Sequence, residues 1–143
     1  MSGELVEKLR HRATLFLREA EKLFKEDEYD IACFNAEQAI QLYIKSVTLK
    51  LFGEIPRIHS IRELLGYLAR KLYEQEFKEK AILIKEFAKE NRYSLSILED
   101  AYIDARYTIR SFTKQEASEA IKTASNLIKL LKSVEKDVWL GQI

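Results

Sequence analysis

Residues Tyr29 to Leu65 read YDIACFNAEQAIQLYIKSVTLKLFGEIPRIHSIRELL, and the punctuation of this run decides the fold. Ala32, Ala36, Ala39, Tyr43 and Val47 advance by three and four residues, with Ile40, Ile44 and Leu51 widening the apolar stripe. That period is the one an α-helix presents on a single face. Gly53 follows the last periodic residues, as a left-handed C-terminal cap does, and Pro56 bars immediate continuation. Ser60 and Glu63 then form the S-x-x-E pattern that satisfies free amides at a helix start, with Ile61, Leu64, Leu65 and Leu68 behind it. The spacing predicts a central helix, a turn from about Gly53 to His59, and a further helix to about Tyr73.

The same periodicity extends outward in both directions. Leu9, Ala13, Phe16, Ala20 and Leu23 share one face of a helix over residues 5–24. A short charged connection from Lys25 to Tyr29 follows, in which Asp27 is the expected N-cap of the central helix. Toward the C-terminus, Ala81, Ile84, Phe87 and Ala88, and then Leu98, Ala101, Tyr102 and Ala105, keep helical spacing, which fits one long helix or two. Thr113 and Glu116 form a T-x-x-E pattern opening a last helix, whose seam is Ala117, Ile121, Ala124, Ile128 and Leu131, broadened by Leu127, Val134 and Val138. Short connections between such helices predict an all-α, antiparallel up-and-down bundle of about five helices.

A chain of 143 residues has the size of one ordinary domain, so a single domain over residues 1–143 is expected. With 47% hydrophobic and 33% charged residues, the composition argues against a disordered chain and against a membrane protein. The first residues, Met1, Ser2, Gly3 and Glu4, begin no apolar secretory core, and a cytoplasmic location is expected. Cys33 is the only cysteine, and His11 and His59 are the only histidines, so neither a metal cluster nor a cofactor is expected. The net charge of +1 gives no global attraction for phosphate backbones, and any nucleic-acid contact must come from a local patch.

The order of elements in Tyr29–Leu65, an Ala-rich helix with Gln38-Ala39, then Lys45, then Gly53, Pro56 and His59 before the next helix, resembles the HEPN (higher eukaryotes and prokaryotes nucleotide-binding) family. LEDAYIDARYT from Leu98 to Thr108 is similar to the Arg-Tyr element ending that family's penultimate helix. The series Glu116, Ala117, Ala120, Ala124 resembles its last helix. The resemblance implies a nucleotide- or RNA-binding helical domain, a homodimer, and a separately encoded nucleotidyltransferase partner of the toxin and antitoxin kind. HEPN ribonucleases carry an Arg followed after four to six residues by a His. Here Arg106 is followed at that spacing by Ser111, Phe112 and Thr113, and Arg110 by Gln115, Glu116 and Ala117, while Arg57 is too close to His59. Catalysis by that motif is therefore not expected.

Five residues stand out as candidate nucleotide contacts: Lys45, His59, Arg106, Tyr107 and Arg110. Lys45 continues a polar stripe with Gln38 and Gln41, which reads either as a cleft wall or as an ordinary solvated face. His59 sits in the turn, where an imidazole can meet a phosphate or base or can hold the turn by a hydrogen bond. Arg106 and Arg110 lie a helical turn apart beside Tyr107, a cation pair with a stacking ring, or else cations complementing a helix C-terminus. Glu99, Asp100 and Asp104 read as a solvated face, and no glycine-rich phosphate loop is present. Two rival functions remain: a protein–protein assembly module without ligand, and an endoribonuclease joining Arg106 to Tyr107 or His59 through folding or dimerisation.

Overall fold

A computed structural model describes residues 2–142, with side chains from residue 3 to residue 141. The elements are six helices: α1 (Ser2–Lys25), α2 (Tyr29–Phe52), α3 (Ile61–Glu74), α4 (Lys78–Glu90), α5 (Arg92–Tyr107) and α6 (Lys114–Gln142). The central position of α2 follows from its sequence: it buries Ala32, Cys33, Ala36, Ala39, Ile40, Tyr43, Ile44 and Val47, apolar on more than one face. Small alanines let neighbouring helices approach closely, and α2 packs against α1, α3, α5 and α6. One contiguous core joins Ala13 and Ala20 of α1 to Ile40 and Ile44, Leu64 and Leu68, Ile84, Leu98, and Leu127 and Leu131 of α6. Each fully buried Leu or Ile contributes on the order of 1.5–3 kcal/mol through removal from water.

The ends of the helices follow local chemistry. Gly53 takes φ 75°, in the left-handed region, and its N–H donates to the Leu49 carbonyl at 2.9 Å. Ser60 caps α3, its hydroxyl accepting from the Glu63 N–H at 3.3 Å. At α6 the reciprocal box is complete: the Glu116 N–H donates to Thr113 Oγ1 at 3.0 Å, and the Thr113 N–H donates to Glu116 Oε1 at 2.9 Å.

The start of α2 departs from expectation. Glu28, not Asp27, holds the N-cap position, and it makes no side-chain cap bond. Asp27 lies in the left-handed region at φ 62°, where it completes the tight α1–α2 turn, and its carboxylate accepts from the Tyr29 hydroxyl at 2.8 Å. Asp tolerates that backbone conformation better than most residues. The long helical stretch after Phe77 is two helices, which brings the total to six. Asn91 breaks it: the Asn91 side-chain amide donates to the Phe87 carbonyl at 3.0 Å, the same acceptor its backbone N–H uses. The break redirects the chain, so that α4 packs chiefly on α3 while α5 packs on α2 and α6.

Candidate functional site

Along α2, Phe34, Gln38, Gln41 and Lys45 follow one another by four, three and four residues, forming a stripe that meets α5 at Phe34. Beside it, Glu37 is fully buried, because it falls on the apolar stripe of Cys33, Ile40 and Ile44. Both its oxygens are bonded: Gln38 Nε2 donates to Glu37 Oε1 at 2.7 Å, and Gln41 Nε2 donates to Oε2. Burial pushes the Glu37 carboxyl up to about 7, against the opposing pull of the two amides and of nearby Arg106 and Lys45. Lys45 is half-buried, with Nζ 3.4 Å from Gln41 Oε1. Desolvation lowers its pKa, and Glu37 opposes the shift.

Arg106 stands in the last turn of α5, amid three aromatic rings. Its guanidinium carbon lies 4.7 Å from the Phe34 ring centroid, 5.0 Å from that of Tyr102 and 4.8 Å from that of Tyr107. Nε and Nη2 donate to the Tyr102 carbonyl, folding the side chain back along its own helix. Tyr107 is exposed, with Arg106 against its ring. On the far side of Tyr102, the His59 ring stacks at a centroid distance of 5.8 Å and an interplanar angle of 15°. The turn is held there by α5 itself: Ser60 Oγ and Arg62 Nε both donate to the Glu99 carboxylate, one turn before Tyr102.

Three of the sequence-derived candidates thus meet, His59 and Arg106 through Tyr102 and Tyr107 through Arg106, while Lys45 lies farther along α2 and is linked to them only by its charge acting on Glu37. Arg110 is differently engaged. It pairs with Asp100 at 2.9 Å, Asp104 at 3.2 Å and Glu116 at 2.9 Å, and its guanidinium lies 4.2 Å from the Phe112 ring centroid. The acidic residues Glu99, Asp100 and Asp104 are therefore more than a solvated face: they tie His59's turn and the α5–α6 connection to α5. That connection is further fixed by the Phe112 N–H, which donates to Asp30 Oδ1 at 2.7 Å. Cys33 is buried and its thiol is pushed up to about 12, chiefly by desolvation, which disfavours a nucleophilic thiolate.

Glu37, Phe34 and Tyr102 were not among the expected site residues. A signal for Glu37 existed, since a carboxylate interrupting the Cys33–Ile40–Ile44 stripe must be buried or disrupt the helix face. For Phe34 and Tyr102 no such signal existed, because aromatic residues at helical spacing are ordinary core. A groove of about 590 Å³ lies elsewhere, lined by Arg10, Tyr43, Ile128 and Glu135 among others. Within it Arg10 and Glu135 pair with each other, whereas the α2–α5 surface gathers a cation and aromatic rings and is the stronger candidate.

No helix of the described residues is long and apolar enough to cross a membrane. A comparison with curated proteins found no match. Among solved structures, the chain is similar to the crystal structure of TT1696 from Thermus thermophilus, with 23% identity, a TM-score of 0.71, and coverage of 90% of this chain and 97% of that one. That likeness concerns the fold. The sequence signature of the HEPN domain matches residues 6–134, which contain every residue described above for the α2–α5 surface, and the chain belongs to the HEPN domain family.

Proposed function

We propose that this HEPN domain, taken as a single unit over residues 1–143, binds a nucleotide or an RNA end without cleaving it. The observation that carries the reading is the convergence of His59, Arg106 and Tyr107 about the rings of Tyr102 and Phe34, with Lys45 farther along α2 as a second cation. Arg106 and Lys45 supply positive charge for phosphate oxygens, and the exposed Tyr107 ring supplies a stacking face for a base. Arg110 completes the site as an anchor: through Asp104 and Glu116 it holds the end of α5, and therefore Arg106, against α6. The reading is non-catalytic because the Arg-to-His spacing of the ribonucleases is missing and the site, among its described residues, holds no other base placed beside a nucleophile. The cytoplasm is its proposed location, and no cofactor is invoked.

Homodimerisation and pairing with a nucleotidyltransferase-type partner, in the manner of toxin and antitoxin, belong to the same proposal. Support comes from the apolar surface at the end of α5, where Ile103 is 48% exposed and Ile109 fully exposed. The same surface favours a second reading, an assembly module without ligand. Calorimetric titration with ATP, GTP and a short RNA, using the native chain and Arg106→Ala, separates the two. Saturable micromolar binding lost in the variant supports ligand binding. Absence of heat with every ligand, together with undiminished partner capture by Arg106→Ala, supports assembly. Cleavage of the RNA during incubation would overturn the non-catalytic reading.

A further inference from the structure

The buried carboxylate fixes the polarity of two glutamine side chains. An amide presents a donor nitrogen on one side and an acceptor oxygen on the other, and the assignment follows from the bonding network. Both Gln38 Nε2 and Gln41 Nε2 point at Glu37, which offers no hydrogen when ionised. Turning either amide over would then set oxygen against oxygen in a buried place, leaving an acceptor unsatisfied. With Glu37 ionised, the carbonyl oxygens therefore face away from it. Gln41 Oε1 is taken by Lys45 Nζ at 3.4 Å. No described residue donates to Gln38 Oε1, and among the described residues no fully buried side-chain oxygen lacks a partner, so this oxygen of the half-buried Gln38 keeps contact with solvent. It stands one turn beyond Phe34, the ring that carries Arg106.

We infer that Gln38 Oε1 is a specificity-determining acceptor that reads the exocyclic amine of a nucleobase, with Glu37 as the positioning residue that keeps this oxygen outward. The inference rests on the nucleotide-binding reading and deepens it. Arg106 takes the phosphate, which every nucleotide shares, and so cannot distinguish bases. A fixed acceptor can: it gains a hydrogen bond from an amine and meets repulsion from a carbonyl oxygen at the same position. Adenine and cytosine carry the amine where hypoxanthine and uracil carry the carbonyl, at nearly unchanged size. The site thereby prefers amino bases over their deaminated counterparts.

The test is calorimetric titration of the full chain with AMP against IMP and with CMP against UMP, at about pH 8, where Glu37 is largely ionised. The amino member of each pair is expected to bind about tenfold tighter, the ratio that about 1.4 kcal/mol produces. Gln38→Leu is expected to bring both ratios close to one while retaining affinity for the phosphate. Glu37→Gln is expected to shrink both ratios as well, because its own amide no longer dictates the orientation of Gln38. Far-ultraviolet circular dichroism establishes that each variant is folded, and Gln38→Leu, at a half-buried position, serves should Glu37→Gln unfold. Equal binding within each pair, or ratios unchanged in Gln38→Leu, would overturn the inference and leave the nucleotide-binding reading standing. Failure of all four nucleotides to bind the native chain would overturn the inference, and failure of ATP, GTP and the short RNA as well would overturn the reading on which it rests.

Discussion

Glu116 faces two ways: Oε1 accepts from the Thr113 N–H at the first turn of α6, and Oε2 accepts from Arg110 Nη2 at 2.9 Å. One carboxylate thus caps a helix and fastens the chain segment that leads away from Arg106. The backbone bond from Thr113 is the leading cause that holds its pKa below the ordinary value, with Arg110 assisting. Glu116→Ala removes both contacts and is expected to cost about 1–2 kcal/mol in urea denaturation. Glu116→Gln, which keeps the cap and weakens the ion pair, should cost less. Because the folded pKa is depressed, this contribution is present above the unfolded carboxylate pKa and disappears as pH falls through the folded value.

Arg106 and Arg110 are separable by their partners. Arg106 sits on aromatic rings and on a carbonyl of its own helix, whereas Arg110 neutralises three carboxylates. Arg106→Ala should lower nucleotide affinity at least about tenfold and change stability by under about 1 kcal/mol, as for an exposed residue. Arg110→Ala should lower stability by about 1–2 kcal/mol, since Asp100, Asp104 and Glu116 are left to repel one another. Parallel titration and urea curves on the two variants check this, and equal loss of binding without loss of stability in both would refute it.

Burial of Glu37 makes stability depend on pH with an unusual sign. Its folded pKa of about 7 lies above the ordinary value of 4.5, so the folded state holds a proton that the unfolded state has released. The associated stability is fully present below about 4.5 and is lost as pH rises through about 7. The whole span amounts to something on the order of 3 kcal/mol. Urea midpoints at about pH 5 and about pH 8 should therefore differ in favour of the lower pH. Glu37→Gln, which is neutral at both, should flatten the difference.

Gly53→Ala tests the turn between α2 and α3. The backbone there has φ 75°, and a Cβ would meet no atom within 4 Å, so the penalty is conformational alone. A loss of about 1 kcal/mol is expected from thermal unfolding. No loss would mean that the turn adopts another conformation, with His59 no longer held on Tyr102.

Much of the helical architecture was legible from local patterns. The alternation of three- and four-residue steps in α2 and α6 is a property of consecutive residues, and so are Gly53 with Pro56, Ser60 with Glu63, and Thr113 with Glu116. Asp27 misled because Asp serves equally as an N-cap and as a left-handed turn residue, and only the path of the chain chooses between them. Asn91 is similar: with neither glycine nor proline nearby, a helix break rests on one amide competing for the Phe87 carbonyl.

By itself, the sequence determined that the chain is a helical bundle, where most helices start and stop, that its family is HEPN, and that the ribonuclease spacing from Arg to His is missing. Those features depend on residues a few positions apart, within reach of one helical turn. Tertiary structure alone decided that Glu37 is sealed beneath two glutamines. It also decided that His59 stacks on Tyr102, that Arg106 rests on Phe34, and that Arg110 is held by carboxylates from both α5 and α6. Phe34 beneath Arg106 and Tyr102 beside His59 come from other elements, far away along the chain. They meet because the break at Asn91 turns α5 back onto α2, a direction that no periodicity records.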